Sequence, residues 1–343
     1  MNYSSIAVLG AGSWGTALAL VLQGKGHRVN LWMRDIKQYE EMLEKRENCR
    51  YLPNVHIPEE LYLSTDLEKA ILDVDVILMS VPTQSVRSVF MKIAPIVKPH
   101  QIIVNTSKGL EQNTLLRISE VIDEILPGQP FVTLSGPSHA EEVCKEMPTT
   151  VAVASKSRSH AEYIQDLFIT PSFRVYTNPD LVGVELGGAL KNVIAFGAGI
   201  TDGLGFGDNA KAALMTRGIR EIARLGKAMG GNLATFAGLS GIGDLIVTCT
   251  SMHSRNRRAG ILVGQGKTLE ETLKEIGMVV EGITTTKAAF QLAKEYNIEM
   301  PITEEIYNIL YEGTNAKDAV TNLMTRNRTH EMEEVVETEN LNW

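Results

Sequence analysis

Residues 6–20 read I-A-V-L-G-A-G-S-W-G-T-A-L-A-L, and this stretch decides the fold of the first half of the chain. The apolar run at its start predicts a strand, and the helix formers that begin at Thr16 predict a helix directly after it. Between them three glycines follow the GxGxxG pattern, at Gly10, Gly12 and Gly15. In this setting the glycines allow a tight turn, a close approach of pyrophosphate to the backbone, and close packing of the helix on the strand. The stretch therefore predicts the start of a dinucleotide-binding domain, with phosphate at the helix N-terminus.

The rest of the first half alternates apolar, β-branched runs with helical patterns. The predicted strands are Ile6–Leu9, Arg28–Trp32, Val76–Val81, Ile102–Thr106, Phe131–Ser135 and Thr150–Ala154. The helices predicted between several of them are Thr16–Gln23, Thr65–Leu72 and Leu115–Ile125. Apolar strands that alternate with helices are typical of a mostly parallel sheet covered on both faces. The predicted fold class is therefore α/β, with a Rossmann-like first domain.

Strand-like runs disappear after Pro179-Asp180, which marks the start of a long helix with Asp180 as its cap. The helices predicted in this half are Val182–Ile200, which is that long helix, and then Ala210–Met229, Glu270–Ile276, Thr284–Glu295 and Glu304–Leu310. We therefore predict an NAD(P)-binding domain over residues 1–181, an all-helical substrate-binding and catalytic domain over residues 182–330, and an acidic tail over residues 331–343. The cleft between two such domains is a usual place for a substrate.

Composition and net charge indicate which classes of ligand and partner the protein can bind. The formal net charge of -8 argues against nucleic-acid binding, which needs a basic face. It still allows an anionic small molecule, because a few cations in a cleft outweigh surface charges screened over about 8 Å. The three cysteines are far apart and form neither a disulfide framework nor a CxxC metal site. No run approaches the roughly 20 apolar residues of a membrane helix, and the N-terminus shows no secretory leader. We expect a cytoplasmic protein that binds no metal and does not span a membrane.

The end of the second predicted strand bears on the choice of cofactor. A carboxylate there would bind the ribose hydroxyl of NAD, whereas an arginine would pair with the 2′-phosphate of NADP. The sequence has Arg34 first and Asp35 immediately after it. Because arginine–phosphate pairs are charge-assisted and often bidentate, we expect NADP to be preferred and NAD to be usable.

A nicotinamide dinucleotide predicts a dehydrogenase, which transfers hydride to or from its substrate. Reduction of a carbonyl group by hydride needs an acid that protonates the developing alkoxide. Lys108 directly follows a predicted core strand, and so lies at the sheet edge where open α/β folds bind ligands. Lys191 lies in an apolar, glycine-rich helix, where a lysine without a role is rare. Burial and a second ammonium nearby would both lower its pKa from about 10.4. Of the histidines, His139, in a turn after a strand, is the best candidate for proton transfer.

A candidate anion site lies further along the chain. Residues 241–244 predict a turn before an apolar run. Ser254 then caps the start of a helix that carries Arg255, Asn256 and two further arginines. A helix N-terminus with an arginine and an asparagine can bind a phosphate group. The alternative interpretation is an exposed basic helix start.

Several long motifs resemble one enzyme family in order and spacing. They are GAGSWGTALA, SKGLE, LSGPSHAEEV, GGALKN, GLSGIGDLIVTCTS and SRNRRAG, and the resemblance runs from about residue 5 to residue 330. The family is the bacterial type of NAD(P)-dependent glycerol-3-phosphate dehydrogenase. The resemblance implies reversible reduction of dihydroxyacetone phosphate to sn-glycerol 3-phosphate, which supplies glycerophospholipid synthesis.

The resemblance also implies roles for single residues. Lys191 matches the proton acceptor, and Lys108 and Asp244 accompany it in the catalytic set. The implied cofactor contacts are Gly10, Gly12, Ser13, Trp14, Gly15, Arg34, Lys108, Ala140, Arg255, Val279 and Glu281. The implied substrate contacts are Lys108, Gly136, Ser138, Lys191, Asp244, Ser254, Arg255 and Asn256. One departure is Met33, which stands before Arg34 where related sequences often carry a polar residue or histidine.

Two other functions remain open from the sequence. One is a two-domain dehydrogenase of a small hydroxyacid or ketoacid, against which the predicted phosphate site argues. The other is a non-catalytic NADPH-binding protein, against which the two lysines and Asp244 argue. A homodimer is expected from the frequency of dimers among soluble enzymes.

Overall fold

The structure is a computed structural model that describes residues 3–328 and Glu331. Glu331 is exposed, and the rest of the predicted acidic tail, residues 332–343, lies outside the described residues. In the described part the strands are β1 (Ser5–Leu9), β2 (Arg28–Trp32), β3 (Glu47–Asn48), β4 (Leu52–His56), β5 (Tyr62–Ser64), β6 (Val76–Met79), β7 (Ile102–Asn105), β8 (Phe131–Ser135), β9 (Thr149–Ala154) and β10 (Phe173–Asn178). The sheet prediction is confirmed for all six strands to within two residues at each end.

Eight of these strands form one sheet in the order β10-β9-β8-β7-β6-β1-β2-β5, while β3 and β4 form a separate antiparallel pair. Neighbours in the large sheet are parallel except β8 and β9. Strand β1 lies between β2 and β6, so the chain crosses from one side of β1 to the other. In open α/β sheets ligands bind outside the carboxyl ends of the strands at such a switch point.

Helices cover both faces of the sheet. They are α1 (Ser13–Gly24), α2 (Ile36–Lys45), α3 (Leu67–Ile71), α4 (Val86–Ile93), α5 (Ile118–Ile125), α6 (Ala140–Val143) and α7 (Arg158–Phe168). Because alternate residues of a strand point to opposite faces, Ile6 and Val8 belong to one hydrophobic core, and Ala7 and Leu9 to another. Burial of strand β1 on both faces explains its continuous apolar run.

The second half of the described chain is helical. Its helices are α8 (Leu181–Gly203), α9 (Gly207–Ala228), α10 (Leu233–Phe236), α11 (Asp244–Thr250), α12 (Arg255–Gly264), α13 (Leu269–Ile276), α14 (Glu281–Glu295), α15 (Pro301–Tyr311) and α16 (Ala316–Met324). The cap predicted at Asp180 is confirmed, because its Oδ1 accepts from the Gly183 N–H at 2.8 Å. The turn predicted at residues 241–244 is wrong in detail. A helical turn over Leu239–Gly243, kinked at Gly241, leads directly into α11.

Helix α8 is the centre of the helical half. It is long and apolar enough to span a membrane, so the prediction that no such stretch exists is wrong, yet 89% of its apolar window is buried inside the protein. The segment Leu233–Thr250 passes the same test, with 44% of its window buried, but it is broken at Gly241, whose φ and ψ are −99° and −105°. Burial within the protein identifies α8 as a core helix.

Two glycines let the backbones of α8 and α12 touch. A Cβ on Gly199 of α8 would lie 2.0 Å from the Arg257 carbonyl oxygen, and a Cβ on Gly260 of α12 would lie 2.0 Å from the Phe196 carbonyl oxygen. Both distances are far below van der Waals contact, so only glycine fits at either position. The start of α12 is therefore held directly against α8.

A buried ion pair joins the two halves of the chain. Arg117, which precedes α5, donates from Nη1 to Glu185 Oε2 of α8 at 2.7 Å, with side-chain exposures of 12% and 5%. The Ser119 N–H donates to Glu185 Oε1 at 2.8 Å, and burial raises the pKa of the Glu185 carboxyl. These contacts fix α8 against the edge of the α/β half.

Candidate active site

A cavity of about 870 Å³ lies between the carboxyl ends of the strands and the helical half. The strand side is formed by the loops that follow β1, β2, β6, β7 and β8, and the helical side by α8, α12 and the start of α14. The predicted site residues that line it are Gly10, Gly12, Ser13, Trp14, Arg34, Lys108, Ser138, Ala140, Lys191, Ser254, Arg255, Asn256, Val279 and Glu281. Gly15, Gly136 and Asp244 lie behind that lining. The fold therefore brings almost the whole predicted set to one cavity.

The glycine loop after β1 leaves room for a pyrophosphate. Gly10 has a φ of +112°, and a Cβ there would lie 2.8 Å from the Ser80 carbonyl oxygen, so the turn requires glycine. A Cβ on Gly12 would meet no atom within 4 Å, so this stretch of backbone faces open space. Helix α1 begins at Ser13 without a side-chain cap, which leaves its first N–H groups available to an anion. The loop fits a dinucleotide.

Arg34 and Asp35, which follow β2, have different surroundings. The Asp35 carboxylate caps α2 by accepting from the Lys37 N–H at 2.9 Å. Arg34 is exposed and lines the cavity, and Met33 is buried in the core behind it. Capping occupies Oδ1 of Asp35, and the neighbouring Arg34 adds a cation that can meet a ligand at this strand end.

Three charged side chains meet at the wall of the cavity. Asp244, only 1% exposed, accepts from Lys108 Nζ at 2.7 Å with Oδ2 and forms an ion pair with Lys191 through Oδ1. Lys108 also donates to the Gly136 carbonyl oxygen at 2.9 Å. One carboxylate thus holds two ammonium groups, one from each half of the chain.

Two neutral polar residues that the sequence analysis missed complete this cluster. Lys191 Nζ donates to Thr248 Oγ1 at 2.8 Å, and that hydroxyl donates to the Asp244 carbonyl oxygen at 2.6 Å. Asn192 Nδ2 donates to the Lys108 carbonyl oxygen at 3.1 Å. Thr248 lies one helical turn after Asp244, a spacing that would have revealed it had the segment been predicted as a helix.

Burial sets the protonation of Lys191. It lowers the pKa of the Lys191 ammonium from 10.5 to about 7, opposed by the charge of Asp244 and assisted by the positive charge of Lys108. An amine with a pKa near neutrality can both give and take a proton at working pH. His139 also lines the cavity, and burial, assisted by Lys191, lowers the pKa of its imidazole. Of the two groups, only Lys191 is held by a charged partner within hydrogen-bond distance in the described part of the chain.

The loop after β8 connects these groups to the sheet. Gly136 has a φ of +145°, and its carbonyl oxygen accepts from Ser138 Oγ at 2.9 Å as well as from Lys108. Ala140 begins α6 and is 6% exposed. The loop therefore fixes the Lys108 ammonium above the carboxyl edge of β8.

The helix start predicted as an anion site is the start of α12, and the serine cap predicted there is present. Ser254 Oγ caps the helix by accepting from the Arg257 N–H at 3.2 Å. Asn256 Nδ2 donates to Asn192 Oδ1 at 2.9 Å, and its Oδ1 accepts from the Gly282 N–H at 2.8 Å. The side chain of Asn256 thus ties the start of α12 to α8 and α14.

The start of α14 closes the cavity on its other side. Arg255 Nη1 donates to the Val279 carbonyl oxygen at 2.9 Å. Glu281 Oε1 accepts from the Thr83 N–H at 3.0 Å, while its buried Oε2 has no hydrogen-bond partner among the described residues. Burial raises the pKa of the Glu281 carboxyl. Both halves of the chain therefore contribute to this wall.

Comparison with known proteins agrees with this geometry. The family model described as NAD-dependent glycerol-3-phosphate dehydrogenase N-terminus matches residues 5–161, and the model of the C-terminus of the same family matches residues 180–321. The chain belongs to this dehydrogenase family. The resemblance stated from the sequence motifs is thereby confirmed.

Individual members of the dehydrogenase family are similar over almost their whole length. Glycerol-3-phosphate dehydrogenase [NAD(P)+] of Bacillus subtilis is 55% identical over 97% of this chain and 97% of its own. The enzyme of the same name from Thermoanaerobacter sp. is 56% identical over 95% of this chain and 98% of its own. The crystal structure of glycerol-3-phosphate dehydrogenase from Coxiella burnetii superposes with a TM-score of 0.91 at 41% identity, covering 94% of this chain and 99% of that one. These relatives support the glycerol-3-phosphate dehydrogenase expectation over its two alternatives.

Proposed function

We propose that this protein catalyses the reversible reduction of dihydroxyacetone phosphate to sn-glycerol 3-phosphate with NADPH or NADH. The observation that carries the proposal is the pair of ammonium groups held by Asp244, set between a dinucleotide loop and a basic helix start. Family membership supports the same reaction.

The chain's own residues supply proton transfer and charge stabilisation. The dinucleotide, when bound, supplies the hydride. Lys191 gives a proton to the carbonyl oxygen in the direction of reduction and takes one from the hydroxyl in oxidation. Lys108 stabilises the negative charge that develops on the same oxygen. Asp244 orients both ammonium groups and keeps part of the Lys191 population protonated against the effect of burial.

The remaining site residues divide between substrate and cofactor. Ser254, Arg255 and Asn256 bind the phosphate of the ketone, and Gly136 and Ser138 contact its carbon chain. The cofactor contacts are Gly10, Gly12, Ser13, Trp14, Gly15, Arg34, Lys108, Ala140, Arg255, Val279 and Glu281. Arg34 gives NADPH its preference, because its guanidinium can pair with the 2′-phosphate, while Oδ1 of the neighbouring Asp35 caps α2.

The wider setting follows from the family resemblance and from general frequencies. We place the boundary between the cofactor domain (residues 1–181) and the catalytic domain (residues 182–330) just after Asp180, where the strands end and α8 begins. The enzyme acts as a cytoplasmic homodimer and supplies glycerol 3-phosphate to glycerophospholipid synthesis.

The test compares oxidation of NADPH in the presence of dihydroxyacetone phosphate and of dihydroxyacetone. The phosphate site predicts a kcat/KM for the phosphorylated ketone at least about a thousandfold higher, because charge-assisted phosphate contacts add several kcal/mol. Equal turnover of a small ketoacid would favour the hydroxyacid alternative. Tight NADPH binding without oxidation in the presence of any small ketone would favour a non-catalytic protein.

A further inference from the structure

The three arginines at the start of α12 have different surroundings. Arg257 Nε donates to Asp202 Oδ2 at 2.7 Å, and its Nη1 donates to the Thr250 carbonyl oxygen at 2.7 Å. Arg255 and Arg258 instead line the cavity. Residues three apart lie on the same face of a helix, so these two guanidinium groups are neighbours. The structure thus separates one structural arginine from two that face a ligand.

Arg258 is a half-buried cation without a partner. In the described part of the chain its side chain forms no hydrogen bond or ion pair, and its Nε is buried. Arg255 donates only to a carbonyl oxygen, and no described carboxylate forms an ion pair with it. Burial lowers the pKa of Arg255, the more distant carboxylates of Glu281 and Glu141 oppose that effect, and the positive charge of Arg258 adds to it. Two like charges are therefore held close together, and no described carboxylate forms an ion pair with either of them.

Such an arrangement is costly unless an anion binds to it. A buried donor without a partner is unfavourable, and like charges at close range repel. A guanidinium group presents its donors in a planar fork that matches the oxygens of a phosphate. The geometry that destabilises the free protein is the geometry that a phosphate group would stabilise.

We infer that Arg258 is a phosphate-binding residue that acts together with Arg255 on a phosphate ester in the cavity. The inference rests on the proposed function, because both reactants of that reaction carry phosphate. The same chemistry is offered by the monoester of the ketone and by the phosphates of the dinucleotide. The SRNRRAG motif alone does not distinguish Arg258 from Arg257, since both are arginines in the first helical turns.

The experiment uses the full-length protein with Arg258→Gln, Arg258→Lys and a matched control, Arg158→Gln. Arg158 is 90% exposed, pairs with Glu162 on α7 and does not line the cavity. Three quantities are measured: the KM for dihydroxyacetone phosphate, the kcat/KM for dihydroxyacetone, and the Kd of NADPH by fluorescence. The glutamine variant should raise the KM or the Kd about tenfold or more, and the control should change neither.

The pattern of change identifies the ligand. A higher KM for the phosphorylated ketone, with unchanged kcat/KM for dihydroxyacetone, assigns Arg258 to the ketone phosphate. A higher Kd for NADPH assigns it to the dinucleotide. If both quantities stay within about twofold of wild type, the inference is overturned. Should Arg258→Gln fail to fold, the lysine variant decides, because it keeps the charge but loses the fork, and unchanged KM and Kd there overturn the inference too.

Failure of the proposed function would look different. A wild-type protein that does not oxidise NADPH with dihydroxyacetone phosphate refutes the reaction. In that case the Kd of NADPH, and its competition by inorganic phosphate, still show whether Arg258 binds phosphate.

Discussion

The Lys191 ammonium and the Asp244 carboxylate form a buried ion pair between helices α8 and α11, from positions 53 residues apart in the chain. Removing both charges from water is unfavourable, and the pair is retained where a second cation, Lys108, also approaches the carboxylate. The excess positive charge at this point faces the cavity. That is the charge balance needed where a carbonyl oxygen becomes negative.

Replacing Lys191 with alanine should abolish proton transfer while leaving the cofactor site intact. We expect kcat to fall about 10²- to 10⁴-fold, the range for loss of a general acid, with the Kd of NADPH within about twofold of wild type. Steady-state kinetics and cofactor fluorescence measure the two quantities. Lys274→Ala, at an exposed position on α13, is the control. A Lys191→Ala enzyme with more than half of wild-type turnover would show that another group transfers the proton.

The pH dependence should report the pKa of Lys191, which is about 7. Reduction needs the protonated amine, so its kcat/KM should be level below about pH 7 and fall about tenfold per unit above it. Oxidation needs the neutral amine, so its kcat/KM should rise up to about pH 7 and then level off.

Asp244→Asn tests the cause of that pKa. Loss of the carboxylate removes the charge that raises the pKa of Lys191, so the limb of the reduction profile should move to lower pH. The pH profiles of the variant and of the wild type are measured with the same ketone. Titration of the ketone's phosphate therefore affects both profiles equally and does not contribute to the shift between them. A limb at the same pH in the variant and the wild type would mean that the observed limb belongs to a different group.

Arg34→Ala should discriminate between the two cofactors. If its guanidinium pairs with the 2′-phosphate, its loss should raise the KM for NADPH about tenfold and leave the KM for NADH unchanged. Lys37→Ala, which removes an exposed cation outside the cavity lining, serves as the control. An equal rise in both KM values would refute the role of Arg34 in binding the 2′-phosphate.

Arg117→Ala should destabilise the protein strongly. It leaves the Glu185 carboxylate buried with Ser119 as its remaining donor, and loss of one partner of a buried pair costs about 3–5 kcal/mol. Arg158→Ala breaks an exposed pair and should cost less than about 1 kcal/mol. Urea unfolding compares the two variants. Similar midpoints for both would show that the Arg117 pair contributes little to holding the halves together.

The sequence predicted the central strands because a parallel sheet covered on both faces requires continuous apolar runs. Strand β10 escaped prediction because it lies at the sheet edge, where Phe173 and Val175 are buried but Arg174 between them is exposed. The antiparallel direction of β9 was also unpredictable, because the loop and single helical turn that precede it carry no signal of direction.

The site was predictable one residue at a time but not as an arrangement. A lysine in an apolar helix and a lysine after a strand both stand out against their surroundings. Both lysines contact Asp244, which lies 136 residues after Lys108 and 53 residues after Lys191 in the chain. Contacts over such separations depend on how the helices pack, and a local sequence pattern does not predict them. Thr248 and Asn192 were missed because neutral polar side chains do not stand out in this way.

The contact between α8 and α12 through Gly199 and Gly260 fixes the distance between Lys191 and the start of α12. Lys191 belongs to one helix and the phosphate-binding start to the other, and two backbones in direct contact cannot slide apart without losing that contact. Under the proposed roles, the span from carbonyl to phosphate is set by the main chain rather than by adjustable side chains. Ketones whose phosphate lies one carbon further from the carbonyl should therefore be poor substrates even when they carry the same charge, because they are too long for this fixed span.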